Sequence, residues 1–272
     1  MTKKEYKEYC DMLQSNVDVF RDTRFQSQHC FKYETEQMIN DTEIYRAEWN
    51  YIFREDDFVG SNISVINSGT VNAAYKIKKN NFNAHVAMLN FADAKRPGGW
   101  IIDGAPTQEE NMCRCTNLYE SLITDKCDLQ YYKVNNVNNN ANKHDTEAYT
   151  DTIIYSPGVM IFKKDDTYEK ISPKFVDVIT CPAPCGPVDN AYDVIANRIR
   201  KMLMVAFYNG VTDIVFGAWG CGAFGQKPKV VAKAFADVLA EYPVIKNVVF
   251  AIKETPGYKE SSTIKTFRKI LK

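Results

Sequence analysis

Asn90-Phe91-Ala92-Asp93-Ala94-Lys95-Arg96-Pro97-Gly98-Gly99-Trp100, followed after Gly104 by Gln108-Glu109-Glu110, decides how this chain is read. The apolar run Ala84 to Phe91 leads into it as a strand, so the glycine turn sits at a strand's carboxyl end. Glycine lets backbone N–H groups come close to a ligand, and carboxylates can move protons. A second cluster, Gly217-Ala218-Trp219-Gly220-Cys221-Gly222-Ala223-Phe224-Gly225, follows the strand Asp213 to Phe216. Two such loops at strand ends imply one cleft for a diphosphate and a sugar.

Beyond Glu110, apolar residues recur at Met112, Cys115, Leu118, Tyr119 and Leu122, which predicts a helix over 111–122. The glutamate pair then lies at a helix N-terminus, where free N–H groups favour negative charge and bind anions. Adjacent glutamates are commonly solvated surface charge, but here a strand and a glycine turn precede them. Neighbours on a helix point about 100° apart, so the two have different tasks. One can hold a sugar hydroxyl while the other protonates a leaving oxygen, as cleavage through an oxocarbenium-like transition state requires. The second loop has neither a Gly-Lys-Ser/Thr ending nor the Gly-x-Gly-x-x-Gly spacing, so its amides are expected to wrap an oxyanion directly. Phe224 either packs on a ribose or base or anchors the loop in the core.

Outward from these loops the chain alternates strands and helices, an α/β pattern with ligands at the strands' carboxyl ends. Ile63 to Asn67 reads as a strand, and Thr70 as the cap of a helix through Ala73, Ala74 and Tyr75. Residues 131–150, with six asparagines between Asn135 and Asn142, read as a mobile polar surface insertion. Ile153 to Tyr155 and Val159 to Phe162 are expected to form a hairpin around Ser156-Pro157-Gly158. Phe175 to Cys181 is a strand stopped by Pro182-Ala183-Pro184. Helices over 191–208 and 230–239 flank the strand 213–216, and 246–252 is a late strand. The tail Lys265 to Lys269 reads as the solvated face of a last helix. Tyr9, Met12 and Leu13 give residues 1 to about 50 the texture of a helical lead-in with an extended connection.

The chain has 272 residues, 45% of them apolar, enough for a buried core. Lysine plus arginine equals aspartate plus glutamate at 34 each, so no global charge points to nucleic acid, although a local basic cleft could serve a polyanion. With no apolar signal region and no membrane-length apolar run, a cytoplasmic location is expected, with a nuclear one also open. Eight cysteines are too sparse for a disulfide scaffold and read as reduced thiols. Cys113, Cys115, Cys127, Cys181 and Cys185 do not form paired knuckles, and His29, His85 and His144 are scattered. That spacing argues against zinc and against a Cys/His nucleophile. His85 reads as packing.

Taken together, these motifs resemble the macrodomain fold, and within it the microbial-type poly(ADP-ribose) glycohydrolases, over roughly residues 60–255. The resemblance rests on Pro97-Gly98-Gly99, Gly104-Ala105 and Gln108-Glu109-Glu110, then Pro182-Ala183-Pro184 and the Gly217–Gly225 loop, in family order. It implies a macrodomain-like mixed central sheet flanked by helices on both faces, with an N-terminal helical extension. The expected organisation is a helical accessory segment at 1–55 and a catalytic domain at 56–272. By resemblance, Glu110 is the acid/base and Glu109 holds the terminal ribose hydroxyls. Gln108 belongs to the same motif, and Gly98 and Gly99 shape the loop around ribose and diphosphate. Gly217, Ala218, Gly220, Cys221, Gly222, Ala223 and Gly225 hold the diphosphate, with Phe224 against the terminal ribose. Asn90 and Asp93 match strand-end positions facing the distal ribose. The activity implied is hydrolysis of ribose–ribose O-glycosidic bonds to release ADP-ribose, by a monomer, without metal or organic cofactor. The ligands implied are poly(ADP-ribose), ADP-ribose and ADP-ribosylated macromolecules. Two alternatives use the same pocket: a non-catalytic ADP-ribose reader, and a hydrolase of mono(ADP-ribosyl)ated protein or nucleic acid. The chain departs from the family at Trp100, where a third glycine is usual and where the ring either narrows the pocket or swings outward. It departs again at Cys185, where asparagine is usual.

Overall fold

The computed structural model describes residues 1–138, 148–254 and 262–272. Its helices are α1 Lys3–Phe25, α2 Lys32–Asp41, α3 Thr70–Asn80, α4 Gln108–Cys115, α5 Leu118–Leu122, α6 Asp125–Cys127, α7 Lys133–Asn138, α8 Ala191–Tyr208, α9 Pro228–Glu241 and α10 Ser262–Ile270. Its strands are β1 Glu43–Tyr45, β2 Asn62–Ile66, β3 Val86–Phe91, β4 Ile153–Lys163, β5 Lys170–Cys181, β6 Asp213–Phe216 and β7 Asn247–Ala251. They form one mixed sheet in the order β1-β4-β5-β3-β6-β7-β2. The run from β5 to β2 is parallel, while β4 lies antiparallel between β1 and β5.

Alternation along the strands gives the sheet two buried faces. On β3, Ala87 and Leu89 join a core with Ile195 and Leu203 of α8, Phe235 of α9 and Phe267 of α10. Val86 and Met88 point the other way, into a second core with Phe20 of α1, Met38 of α2, Ala74 of α3 and Met112 of α4. A central strand buried on both sides reads as a continuous apolar run, which is why Ala84 to Phe91 is legible as a strand. The helices therefore cover both faces, as the resemblance implies.

Several local expectations change. Residues 153–163 are one strand, not a hairpin: the register of β4 against β5 shifts between Ser156 and Val159, so Pro157-Gly158 makes a bulge. Proline has no N–H for the ladder, and Gly158 takes φ +65°, which suits a bulge as well as a turn. The hairpin turn falls instead between β4 and β5, past Lys163. The helix predicted over 111–122 starts at Gln108 and breaks at Thr116, which bridges to Ile161, before α5 resumes. Thr70 is the first residue of α3, not its cap. Asp165, reaching across from beyond β4, accepts from Asn72 N (3.1 Å) and serves that helix end. Within the insertion expected at 131–150, Tyr131, Tyr132 and Asn135 are fully buried in helical turns. Residues 139–147 of that insertion lie outside the described residues. In the last helix Phe267 is fully buried, so the 265–269 segment is solvated on one side only. His85 ends beside the sheet with Nε2 2.5 Å from Asp177 Oδ2.

Candidate active site

β3 and β6 are neighbouring parallel strands, so the loops that leave their carboxyl ends emerge at one end of the sheet. The loops abut: a Cβ on Gly217 would lie 2.8 Å from Cζ of Phe91 and 2.7 Å from the Ala251 carbonyl. Between them opens a cleft of about 830 Å³, walled by Phe91, Thr107, Gln108 and the stretch from Ala218 to Phe224. Met12 and Asn16 of α1 contribute to its rim.

The first loop is organised around two buried carboxylates. Glu109 and Glu110 are 2% and 3% exposed, so they lie just behind the cleft surface formed by Thr107 and Gln108. Glu109 accepts from Asn90 Nδ2 (3.1 Å) and from the Asp93 backbone N–H (2.7 Å). Burial pushes its carboxyl well above the ordinary range, and those two donors oppose the shift. Glu110 accepts from the Trp100 backbone N–H (2.9 Å) through Oε1 and from the Thr107 hydroxyl through Oε2. Both carboxylates converge on Gly99. A side chain there would strike Glu110 Oε1 and come within 3.2 Å of Glu109 Oε2, and the residue has φ +61°. Gly98, at φ +68°, is packed against the Tyr119 ring. Only glycine meets both demands at these positions.

Gln108 has a structural task. Its amide accepts from Phe91 N (2.8 Å) and donates to Leu89 O (2.9 Å), extending the ladder of β3 and fixing where α4 begins. Asn90 is fully buried and also donates to Thr180 (3.3 Å), while its Oδ1 has no partner among the described residues. Asp93 turns back on its own loop, accepting from Lys95 N (2.7 Å) and Arg96 N (3.2 Å). Asn90 and Asp93 thus position Glu109 and the loop.

The second loop is anchored at its root and free at its tip. Trp219 is fully buried and donates to Cys181 O (3.1 Å), and Gln226 Nε2 ties the loop to Pro184 O (2.8 Å) and Gly186 O (2.9 Å). Gly220, at φ +75°, packs against Ala183 of the proline turn. The backbone N–H groups of Gly222, Ala223 and Phe224 have no acceptor among the described residues, and nothing stands within 4 Å of where a Gly222 Cβ would be. Unpaired amides on the wall of an open cleft form a site for a negatively charged group. Phe224 is half-buried on the cleft wall, its ring 6.3 Å from that of Tyr149, and it also packs against the core behind the loop. Cys185 is half-buried beside this loop.

Three supporting residues escape a motif-based reading. Thr107 holds Glu110, and the spacing Thr107-x-x-Glu110 is that of a capping box, a signal present in the sequence. Arg114 is fully buried, donating to Ala105 O (2.9 Å) and to the Tyr168 hydroxyl (3.0 Å), which in turn donates to Asn111 Oδ1 (2.8 Å). Asn16 donates to Gly104 O (2.8 Å), and a Cβ on Gly104 would collide with the Leu13 backbone. α1 is therefore pressed directly against the loop that leads into α4 and its carboxylates. Nothing in local sequence pairs residues that far apart.

Trp100 resolves one departure from the family pattern. Its φ is −99°, so this position does not require glycine, and the side chain points outward, 51% exposed, beneath the Arg96 guanidinium at 3.6 Å.

Among the described residues, no helix is long and apolar enough to cross a membrane. A profile of the microbial-type PARG catalytic domain matches residues 14–164, starting inside α1 rather than near residue 60. No curated protein sequence matches the chain. Poly(ADP-ribose) glycohydrolase from Thermomonospora curvata, solved with the inhibitor ADP-HPD, is 29% identical, with 94% of this chain and 99% of that one covered at a TM-score of 0.79. The enzyme from Deinococcus radiodurans, solved with ADP-ribose, is 31% identical, with 87% and 96% covered at a TM-score of 0.74. The chain belongs to the microbial-type poly(ADP-ribose) glycohydrolase family.

Proposed function

We propose that this chain hydrolyses the ribose–ribose O-glycosidic bond of poly(ADP-ribose) and releases ADP-ribose from chain ends. The reading rests above all on the convergence of two buried carboxylates on Gly99, next to a cleft that also presents the unpaired amides of Gly222, Ala223 and Phe224. In this reading the diphosphate lies on Gly222, Ala223 and Phe224, and the terminal ribose lies over Gly99. Glu109 holds the ribose hydroxyls. Glu110 gives its proton to the leaving 2′-oxygen as the glycosidic bond opens, and then takes a proton from the attacking water. The Trp100 N–H and Thr107 hydroxyl stabilise the carboxylate between those two transfers.

A non-catalytic reader is favoured if the Trp100 ring blocks the productive pose. The outward turn of Trp100 supports the hydrolase reading over the reader. The choice between polymer and single modifications is tested by offering the protein poly(ADP-ribose), mono(ADP-ribosyl)ated protein and ADP-ribosylated DNA in parallel. Release of ADP-ribose from polymer is expected. Binding of ADP-ribose without release from any substrate would return the reader hypothesis, and release only from the mono-modified substrates would reassign the activity.

A further inference from the structure

We infer that Trp100 and Arg96 form a stacking platform for the adenine of the leaving unit, making this chain sensitive to the polymer beyond the bond it cuts. The inference rests on the glycohydrolase reading above. Glu110 links two surfaces: its Oε2 takes the hydroxyl of Thr107, which walls the cleft, and its Oε1 takes the backbone N–H of Trp100, whose ring faces outside. A terminal ADP-ribose fills the cleft side. The leaving group then departs on the Oε1 side of the carboxylate, toward Trp100.

That leaving group is an adenosine, and its 2′-oxygen is separated from the base nitrogen by only two ring carbons. Its adenine therefore arrives within one furanose of Glu110, whose Oε1 accepts from the Trp100 backbone. The indole is 51% exposed and stacked at 3.6 Å on the Arg96 guanidinium, and Ile102 beside it is 67% exposed. An aromatic face backed by a cation suits a purine, and the arginine also meets the polymer's phosphates. The backbone at position 100 does not require the tryptophan, since its N–H reaches Glu110 whatever the side chain. The ring is thus available for recognition.

The test is steady-state release of ADP-ribose from poly(ADP-ribose) by the full chain and by Trp100→Ala, Trp100→Phe and Arg96→Gln, with free ADP-ribose as inhibitor. Trp100→Ala is expected to raise KM for polymer about tenfold, as loss of one stacked base predicts. Trp100→Phe should recover most of the loss and Arg96→Gln should show a smaller one. The inhibition constant of ADP-ribose, which occupies the cleft alone, should not move. An unchanged KM, or a fall in kcat alone, would overturn the platform while leaving the glycohydrolase reading intact. Should the unaltered chain release nothing, that reading falls, and binding of an ADP-ribose oligomer to the chain and to Trp100→Ala decides the platform separately. Equal affinities there, or a Trp100 dependence seen only with ADP-ribosylated DNA, would also reject it.

Discussion

In the loop after β3 every glycine is hemmed in by the protein itself, whereas the tip of the loop after β6 faces open space. Gly98, Gly99 and Gly104 each combine positive φ with a neighbour that excludes a side chain: the Tyr119 ring, the Glu110 carboxylate and the α1 backbone. In the second loop only the root is so crowded, at Gly217 and Gly220, while Gly222 has nothing within 4 Å. The first set of glycines is therefore explained by the folded chain. At Gly222 the chain supplies no such reason, which leaves a ligand as the body that would meet a side chain there. One loop holds charge in place and the other leaves open space at its tip.

Gly99→Ala strikes the first arrangement hardest. It imposes a positive φ on a side-chain-bearing residue and drives a methyl into Glu110, so a loss of about 1–3 kcal/mol in urea unfolding is expected. Polymer turnover should fall at least about a hundredfold as the carboxylate is displaced. Normal turnover in that variant would mean Glu110 does not need its present position. Gly222→Ala should do the opposite. Its unfolding free energy should stay within about 0.5 kcal/mol, as for an unencumbered surface change. ADP-ribose affinity, read by calorimetry, should drop about tenfold if the diphosphate lies on that tip. Equal loss of stability in both variants would erase the contrast.

Much of this contrast was written in the sequence. Both loops, the helix start at the glutamate pair and the strands on either side follow from apolar runs broken by glycine. What escaped is non-local. The bulge at Pro157-Gly158 looks like a hairpin turn until its partner strand β5 is known, because proline and glycine punctuate both. The burial of Tyr131 and Tyr132 is hidden by the asparagines around them. The contact of Leu13 and Asn16 with Gly104 joins residues that no periodicity connects. Trp100 stood out as a departure in sequence, but only its φ and its Arg96 partner show which way the ring turns.

A smaller effect is expected at Glu109. Burial raises its native carboxyl above the unfolded value, so the folded state loses stability as pH rises through the window between the two and keeps that deficit above it. Glu109→Gln should remove the deficit. The new amide can still accept from Asp93 N, and the unpartnered Asn90 Oδ1 can accept from it after an amide flip. A Tm gain of about 2–4 °C near pH 7, absent near pH 4, is expected alongside weaker ADP-ribose binding. No gain near neutrality would show that the charge is better compensated than burial implies.

The smallest effect lies far from the cleft and serves as a control. Asp177 raises the His85 imidazole above its usual value of about 6.5. The pair therefore stabilises the fold fully below that value and loses its contribution as pH climbs through the raised native one. His85 is 43% exposed at its side chain, so solvent screening keeps the effect small. The difference in Tm between the chain and His85→Ala should shrink as pH rises, with polymer turnover unaffected throughout.

The central claim is that Glu110 supplies the proton at the scissile bond without being needed to hold the ligand. Measuring ADP-ribose release from polymer and ADP-ribose affinity together, for the chain and for Glu110→Gln, tests it most directly. The account predicts release reduced by at least about 10²–10⁴-fold with affinity within about threefold. Glu110→Gln turning over polymer at the unaltered rate would contradict it.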